Sequence, residues 1–283
     1  MTLNELNITN FKNIAEARME FSPKINCLLG NNGMGKSNLL DAIHYLSFCK
    51  SFSGLTDAAL MRRGAEFTTL RGIYTRKGAD EELSLGLMPG KRKSFKRKGK
   101  EYERLSSHIG AFPLVMISPS DHDLIAGTGE ERRRFIDMVI SQTDAAYLDH
   151  LIRYARALQQ RNKLLRDHVA DPGLYMAVEL AMSRSAAYIT RARQTRVAEL
   201  TEIFTAFYSR IASDGEIPAM PLRSHLADDP DSLPILLDET RRRDEIVGHT
   251  SVGPHRDDID LQLNGMPVRR AASQGQCKTY VIA

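Results

Sequence analysis

The chain has 283 residues, 42% of them hydrophobic and 26% charged, with a formal net charge of +4. That is ordinary for a globular protein of one large domain or two lobes, and the charge is compatible with nucleic acid without demanding it. There is no run of about 18 apolar residues to span a membrane, and Met1–Glu5 lacks the basic and apolar stretches of a secretory signal. Cys27, Cys49 and Cys277 are widely spaced and odd in number, which argues for a reducing, cytoplasmic compartment and against a disulfide framework or zinc site. The histidines form no H-E-x-x-H and no Cys/His cluster, so no metal ligands are assigned to them.

In chain order, Leu3 to Thr9 reads as a strand. Ala15, Ala17, Met19 and Phe21 line one side of a second strand and Glu16, Arg18 and Glu20 the other, so one face is wet. Ile25-Asn26-Cys27-Leu28-Leu29 is a short, mostly apolar run fit for a buried strand. It leads into Gly30-Asn31-Asn32-Gly33-Met34-Gly35-Lys36-Ser37, a complete phosphate-binding loop: Gly, four free positions, Gly, Lys, then Ser or Thr. Glycines let successive N–H groups point into one concavity that holds phosphate oxygens. Lys36 can reach the β- and γ-phosphates of a nucleotide, and the Ser37 hydroxyl can join Mg²⁺. Leu39, Leu40, Ile43 and Leu46 then recur at helical spacing, so the loop opens onto a helix whose positive dipole end faces the anion.

Glu66 to Tyr74 reads as another strand, and Leu83, Leu85 and Leu87 alternate strictly. Lys91, Arg92, Lys93, Lys96, Arg97, Lys98 and Lys100 make a basic run with a turn at Lys98-Gly99-Lys100 and one interleaved aromatic, Phe95. Such a hairpin can attract DNA phosphates; the same run can equally be a solvated, self-repelling loop. Leu114-Val115-Met116-Ile117, between Pro113 and Pro119, reads as a short strand. The first 119 residues are thus expected to be mainly β, wrapped around one helix.

A helical zone follows. Glu130-Glu131 opens a helix carrying Phe135, Ile136, Val139 and Ile140. Leu148, Leu151, Ala155, Leu158, Leu165 and Val169 form a coiled-coil-like seam containing Asn162 as a register-setting polar residue. Pro172-Gly173 is read as the break, and a second long pattern runs from Tyr175 to Ile211. Together they predict an antiparallel helical hairpin. Arg153, Arg156, Arg161 and Lys163 on one helix, and Arg184, Arg191, Arg193 and Arg196 on the other, are a second candidate DNA surface. Leu233 to Val247 reads as an amphipathic helix. Ile259, Leu261 and Leu263 then alternate with polar residues before a hairpin turn at Asn264-Gly265, where the chain is expected to rejoin the first body.

Several stretches line up with the loop: Ile8-Thr9-Asn10-Phe11-Lys12-Asn13, Ile117-Ser118-Pro119-Ser120-Asp121 with Glu131-Arg132-Arg133-Arg134-Phe135, Thr250 to Asp258, and Ser273-Gln274-Gly275-Gln276-Cys277-Lys278-Thr279. In this order, over essentially the whole chain, they resemble the bacterial RecF family of DNA replication and repair proteins, relatives of SMC and ABC-type ATPases. The resemblance implies an α/β fold: a P-loop ATPase head with a β-rich lobe around the P-loop helix (1–119), an inserted α-helical lobe carrying a long hairpin (120–247), and a return to the ATP-binding lobe (248–283). It implies ATP and Mg²⁺ as ligands and an ATP-dependent homodimer. Ser273, Gln274, Gly275 and Gln276 then match the signature that caps the γ-phosphate held by the other subunit. By residue type alone, that stretch reads equally as an ordinary N-capped helix or an anion-binding one. Phe11 and Lys12 match a position near the nucleotide. The implied partners are DNA, with little sequence specificity, and RecR and RecO, with RecA loading at gaps and SOS induction as the outcome.

One departure is large. The family's acidic Walker B strand is expected after the signature helix, and the sequence stops at Ala283 in what looks like a helix, as a truncated product would. Those carboxylates complete the Mg²⁺ site and position water, so this polypeptide is expected to bind nucleotide weakly and not to turn it over, although the family has weak DNA-stimulated ATPase activity. A metabolic P-loop kinase and a nuclease-linked SMC-like ATPase are the alternatives; the first fits the long hairpin poorly, and the second needs a nuclease segment that is not seen.

Overall fold

Period-two alternation builds the first unit, Met1–Met116, in a computed structural model that describes residues 1–212 and 215–283. Its strands are β1 (Thr2–Phe11), β2 (Ile14–Glu20), β3 (Thr68–Arg76), β4 (Ala79–Leu87), β5 (Ser94–Arg97) and β6 (Lys100–Glu101). They form one antiparallel sheet in the order β2-β1-β3-β4-β5-β6. Register places Ala17, Ile8, Leu70, Leu85 and Phe95 in one row across five strands. All but Ala17 are buried. The next row out, Arg18, Asn7, Arg71, Ser84 and Lys96, lies on the opposite, polar face. Helix α1 (Lys36–Phe48) covers the apolar face with Leu39, Ala42, Tyr45 and Leu46, and a short α2 (Asp57–Leu60) adds Leu60. Burying each such leucine is worth roughly 1.5–3 kcal/mol, which is why the alternating Leu83, Leu85 and Leu87 select one register.

Two apolar runs expected as strands are not strands. Residues 25–29 and 114–117 carry no ladder, and Ile25, Leu29, Val115 and Ile117 are 82%, 91%, 76% and 69% exposed. A strand has to satisfy its N–H and C=O groups on a neighbour. Among the described residues, no strand lies beside either run.

The second unit, Ile117–Ala283, is mainly helical: α3 (Asp123–Ala126), α4 (Gly129–Thr143), α5 (Ala145–Arg166), α6 (Pro172–Ile211) and α7 (Leu233–Val247). Thr128 and Glu131 form a capping box at the start of α4. Helices α5 and α6 pack as the expected hairpin, but three details differ. Pro172 is the first residue of α6, where its missing N–H costs nothing, and Asp171 caps the helix by accepting from Gly173 and Leu174 N–H; the reversal lies before Pro172-Gly173. The buried stripe of α5 is Tyr147, Tyr154, Ala157, Arg161 and Leu165, so Ala155 faces out, because Arg161 takes a core position by pairing with acids. Asn162 does not sit in the seam: its Oδ1 accepts from Thr250 N–H and Oγ1 at 2.8 and 2.7 Å.

The remaining elements are β7 (Pro218–Ala219), β8 (Leu222–Arg223), β9 (Asp258–Ile259), β10 (Gln262–Leu263), β11 (Met266–Pro267), α8 (Val268–Ala271) and α9 (Gln274–Ile282). Asn264 and Gly265 make the expected turn between β10 and β11, with φ of 52° and 74°. Residues 248–283, expected to rejoin the first body, are instead organised within the second unit: β9 pairs with β8, β10 with β7, and the Tyr280 ring of α9 packs at a tilt against Phe204 and edge-on against Tyr208 of α6.

Candidate functional site

The loop Gly30–Ser37 ends directly in α1. Gly33 and Gly35 take φ of 82° and 95°, a left-handed geometry that side chains resist. A Cβ on Gly33 would meet only open space, so its glycine is required by backbone curvature. Gly35 is the N-cap of α1 and supplies no side-chain acceptor; the first turn also holds no acid. The N–H groups at this positive helix end are therefore left for an external anion. Ser37 is exposed beside them. Lys36 Nζ folds back onto the loop, donating to the Gly30 and Asn31 carbonyls at 2.5 and 2.7 Å. A cradle of uncapped N–H groups, one lysine ammonium and one exposed hydroxyl has the donor chemistry for a phosphate chain with Mg²⁺. Asn31, Asn32 and Met34 are exposed along the same loop. A groove of about 850 Å³ borders it, lined by Asn13, Ala15, Leu28, Gly30, Lys36 and Leu39 among others.

The turn between β1 and β2 is locked to this site. Asn10 and Lys12 adopt left-handed φ of 56° and 51°, a costly conformation for non-glycine residues. Phe11 is fully buried, and its side chain packs in the core under the sheet. Lys12 Nζ pairs with Asp41 at 2.6 Å and reaches Ser53 Oγ at 3.2 Å. Asp41 also accepts from Ser51 Oγ and Phe52 N–H. Asn13 Nδ2 donates to the Gly33 carbonyl at 2.9 Å, and Asn13 Oδ1 accepts from Asn38 at 2.7 Å. Asn38 and Asp41 escape a reading by spacing; their only signal is position, as polar residues in the first two turns after Lys36-Ser37.

Ser273 N-caps α9 in a capping box, accepting from Gln276 N–H at 3.2 Å while Gln276 Oε1 accepts from Ser273 N–H at 2.7 Å. Gln276 Nε2 also donates to Glu216 at 2.8 Å. That bond and one from Tyr208 draw the Glu216 carboxyl below its ordinary range. Ser273, Gln274 and Gly275 remain exposed at the helix start.

The seven cations of the basic run fall into three sets. Lys93 is spent on Asp57 at 3.1 Å, Arg97 and Lys98 on Glu81 at 2.6 and 3.5 Å. Burial pushes the Glu81 carboxyl up, but Arg97 and Lys98 outweigh it and hold it low. Arg92 donates to the Glu103 carbonyl. Among the described residues, Lys91, Lys96 and Lys100 have no acidic partner and are exposed. On the hairpin, Arg161 and Arg193 are buried, at 0% and 2% exposure, and belong to no surface. Arg161 pairs with Glu179 and Asp244, and Arg193 with Asp137 and Asp257. Arg191 pairs with Asp231 and Arg196 with Glu199, whereas Arg153, Arg156, Lys163 and Arg184 are exposed.

A phosphate loop opening a helix under an antiparallel sheet, with a separate helical unit built on a long hairpin, defines a P-loop protein with the head architecture of SMC-type ATPases. The Smc head bound to the C-winged helix domain of ScpA shares that fold over 100% of the chain and 74% of its own, with a TM-score of 0.51 at 15% identity. A family model described as the RecF/RecN/SMC N terminal domain matches residues 2–67. The DNA replication and repair protein RecF of Porphyromonas gingivalis is 46% identical over 286 residues, 100% of this chain and 78% of the relative. That of Phocaeicola vulgatus is 46% identical over 100% of the chain and 76% of its own length. The structure of the recombination mediator protein RecF-ATPrS in the RecFOR pathway superposes with a TM-score of 0.93 at 27% identity, covering 99% of this chain and 78% of that one. The chain belongs to the RecF family of DNA replication and repair proteins.

Proposed function

We propose that this chain binds ATP with Mg²⁺ in the loop Gly30–Ser37 and, so loaded, pairs with a second copy and holds DNA with little sequence preference. The observation that carries the reading is the uncapped start of α1 beside Lys36 and Ser37. Bound Mg²⁺ would neutralise phosphate charge, with Ser37 as its protein ligand here. Lys36 exchanges the Gly30 and Asn31 carbonyls for phosphate oxygens, and the loop N–H groups fix the chain's direction. Ser273–Gln276 present the start of α9 to the nucleotide of the partner copy. The solved RecF structure whose name places it in the RecFOR pathway supports RecR and RecO as partners; RecA loading and the SOS response in the cytoplasm are the outcome we propose.

Isothermal calorimetry with ATP and Mg²⁺ tests the reading. Saturable uptake by the wild type and its loss in Lys36→Ala are expected. Heat-silent wild type, or equal binding by the variant, sinks it. Filter retention of a labelled duplex with and without ATP then reports whether nucleotide gates DNA.

A further inference from the structure

We propose that Asn13 is a positioning residue that sets the phosphate loop for its ligand, acting through the Gly33 carbonyl and held by Asn38. The proposal rests on the nucleotide reading above. A trans peptide is planar, so its C=O and the following N–H point in opposite directions. Anchoring the Gly33 carbonyl on Asn13 Nδ2 at 2.9 Å therefore turns Met34 N–H to the far side of the loop, toward the cradle. Without the anchor that peptide can flip and present a carbonyl oxygen to a phosphate, a repulsive contact.

The second arm orients the first. Asn38 Nδ2 donates to Asn13 Oδ1 at 2.7 Å, which leaves the Asn13 amide only one face, its NH₂, to offer Gly33. Asn38 lies in the first turn of α1, so the pair ties loop and helix start into one unit. Gly35 makes room for it: a Cβ there would stand 2.9 Å from Asn13 Oδ1. Lys12, the neighbour on the same turn, is pinned to Asp41 of α1, and the left-handed residues Asn10 and Lys12 hold the turn against the helix. Asn13 is thus delivered by the sheet to the loop, and its own contact with the ligand is not required.

Asn13→Ala, Asn13→Asp and Asn38→Ala test this against ATP with Mg²⁺ by calorimetry, with Lys36→Ala as control. Loss of one neutral hydrogen bond should weaken ATP about five- to tenfold in Asn13→Ala. Asn13→Asp should weaken it at least as much, since a carboxylate has no N–H for Gly33, and Asn38→Ala should act in the same direction. In the amide NMR spectrum of the loaded wild type, Met34 N–H should move downfield. In Asn13→Ala that shift should be lost while the Ser37 amide keeps its own. If the wild type takes up ATP and both Asn13 variants stay within about twofold of it, the clamp is wrong while the nucleotide reading survives. Equal loss of every loop amide shift also overturns it, because that signals general loosening. If the wild type itself takes up no ATP, the nucleotide reading fails first.

Discussion

By residue type a guanidinium belongs in water, yet Arg161 is fully buried between helices, with Nε on Glu179 and Nη1 on Asp244 and Thr250 at 2.7–2.8 Å. The partners lie 18, 83 and 89 positions away, so no local period announces them. Asp244 is itself fully buried. Asp244→Ala strands half the cation's compensation and should cost about 3–5 kcal/mol, whereas replacing both residues with apolar ones of similar volume should cost much less. Urea midpoints of the single and double variants check this, and equal losses would show that packing, not charge, dominates. His108 carries a pH signature. It is fully buried, with one ring nitrogen on the Leu46 carbonyl and the other on Tyr102 Oη, and burial, with Arg97 also opposing a positive charge, lowers its pKa from 6.5 to about 4. The native state thus favours the neutral ring and the unfolded state takes up the proton first. His108's contribution to stability is complete above about pH 6.5 and is lost as pH falls toward about 4. The stability gap between wild type and His108→Gln should shrink across that window by on the order of 3 kcal/mol. A gap that stays constant with pH would mean that His108 titrates normally.

Elements with a local cause are legible in the chain. The amphipathic helix α7, the acidic first turn of α4 at Glu130-Glu131, the Asn264-Gly265 turn and the alternating leucines of β4 each need only neighbours in sequence, and each is found as read. The phosphate loop and the helix after it are equally local. What fails is what needs a distant partner: residues 25–29 and 114–117 have strand composition, but a strand exists only against another. The Pro172-Gly173 step fails for a different reason, since proline both breaks a helix interior and favours a helix start, and only the cap tells which. Asp171 is that cap. Asp171→Ala should therefore cost about 1 kcal/mol, and Pro172→Ala less than that, with no gain in helix content by circular dichroism. A helix lengthened across residues 167–171 in Pro172→Ala would restore proline as the breaker.

At the scale of the whole molecule, 39 basic and 35 acidic side chains leave only +4, so a DNA surface has to come from how the charges are arranged. The basic run looks uniform in sequence, yet folding neutralises part of it: Glu81 takes Arg97 and Lys98, and Asp57 takes Lys93. A cation already paired with a carboxylate displaces few counterions from a phosphate, because it has to leave its partner first. Lys91, Lys96 and Lys100 have no such partner among the described residues. If this hairpin is the DNA contact, the logarithm of duplex affinity should fall with that of salt at a slope that flattens by about 0.9 for each unpaired lysine removed, near 2.7 for the triple alanine variant. Replacing Lys93, Arg97 and Lys98 instead should flatten it less, and should free Glu81 and Asp57 to repel the duplex. The two triple variants carry the same net charge, so a difference between their slopes isolates local pairing from total charge. Identical slopes in both, matching the wild type, would move the contact to the exposed Arg153, Arg156, Lys163 and Arg184 of the helical hairpin.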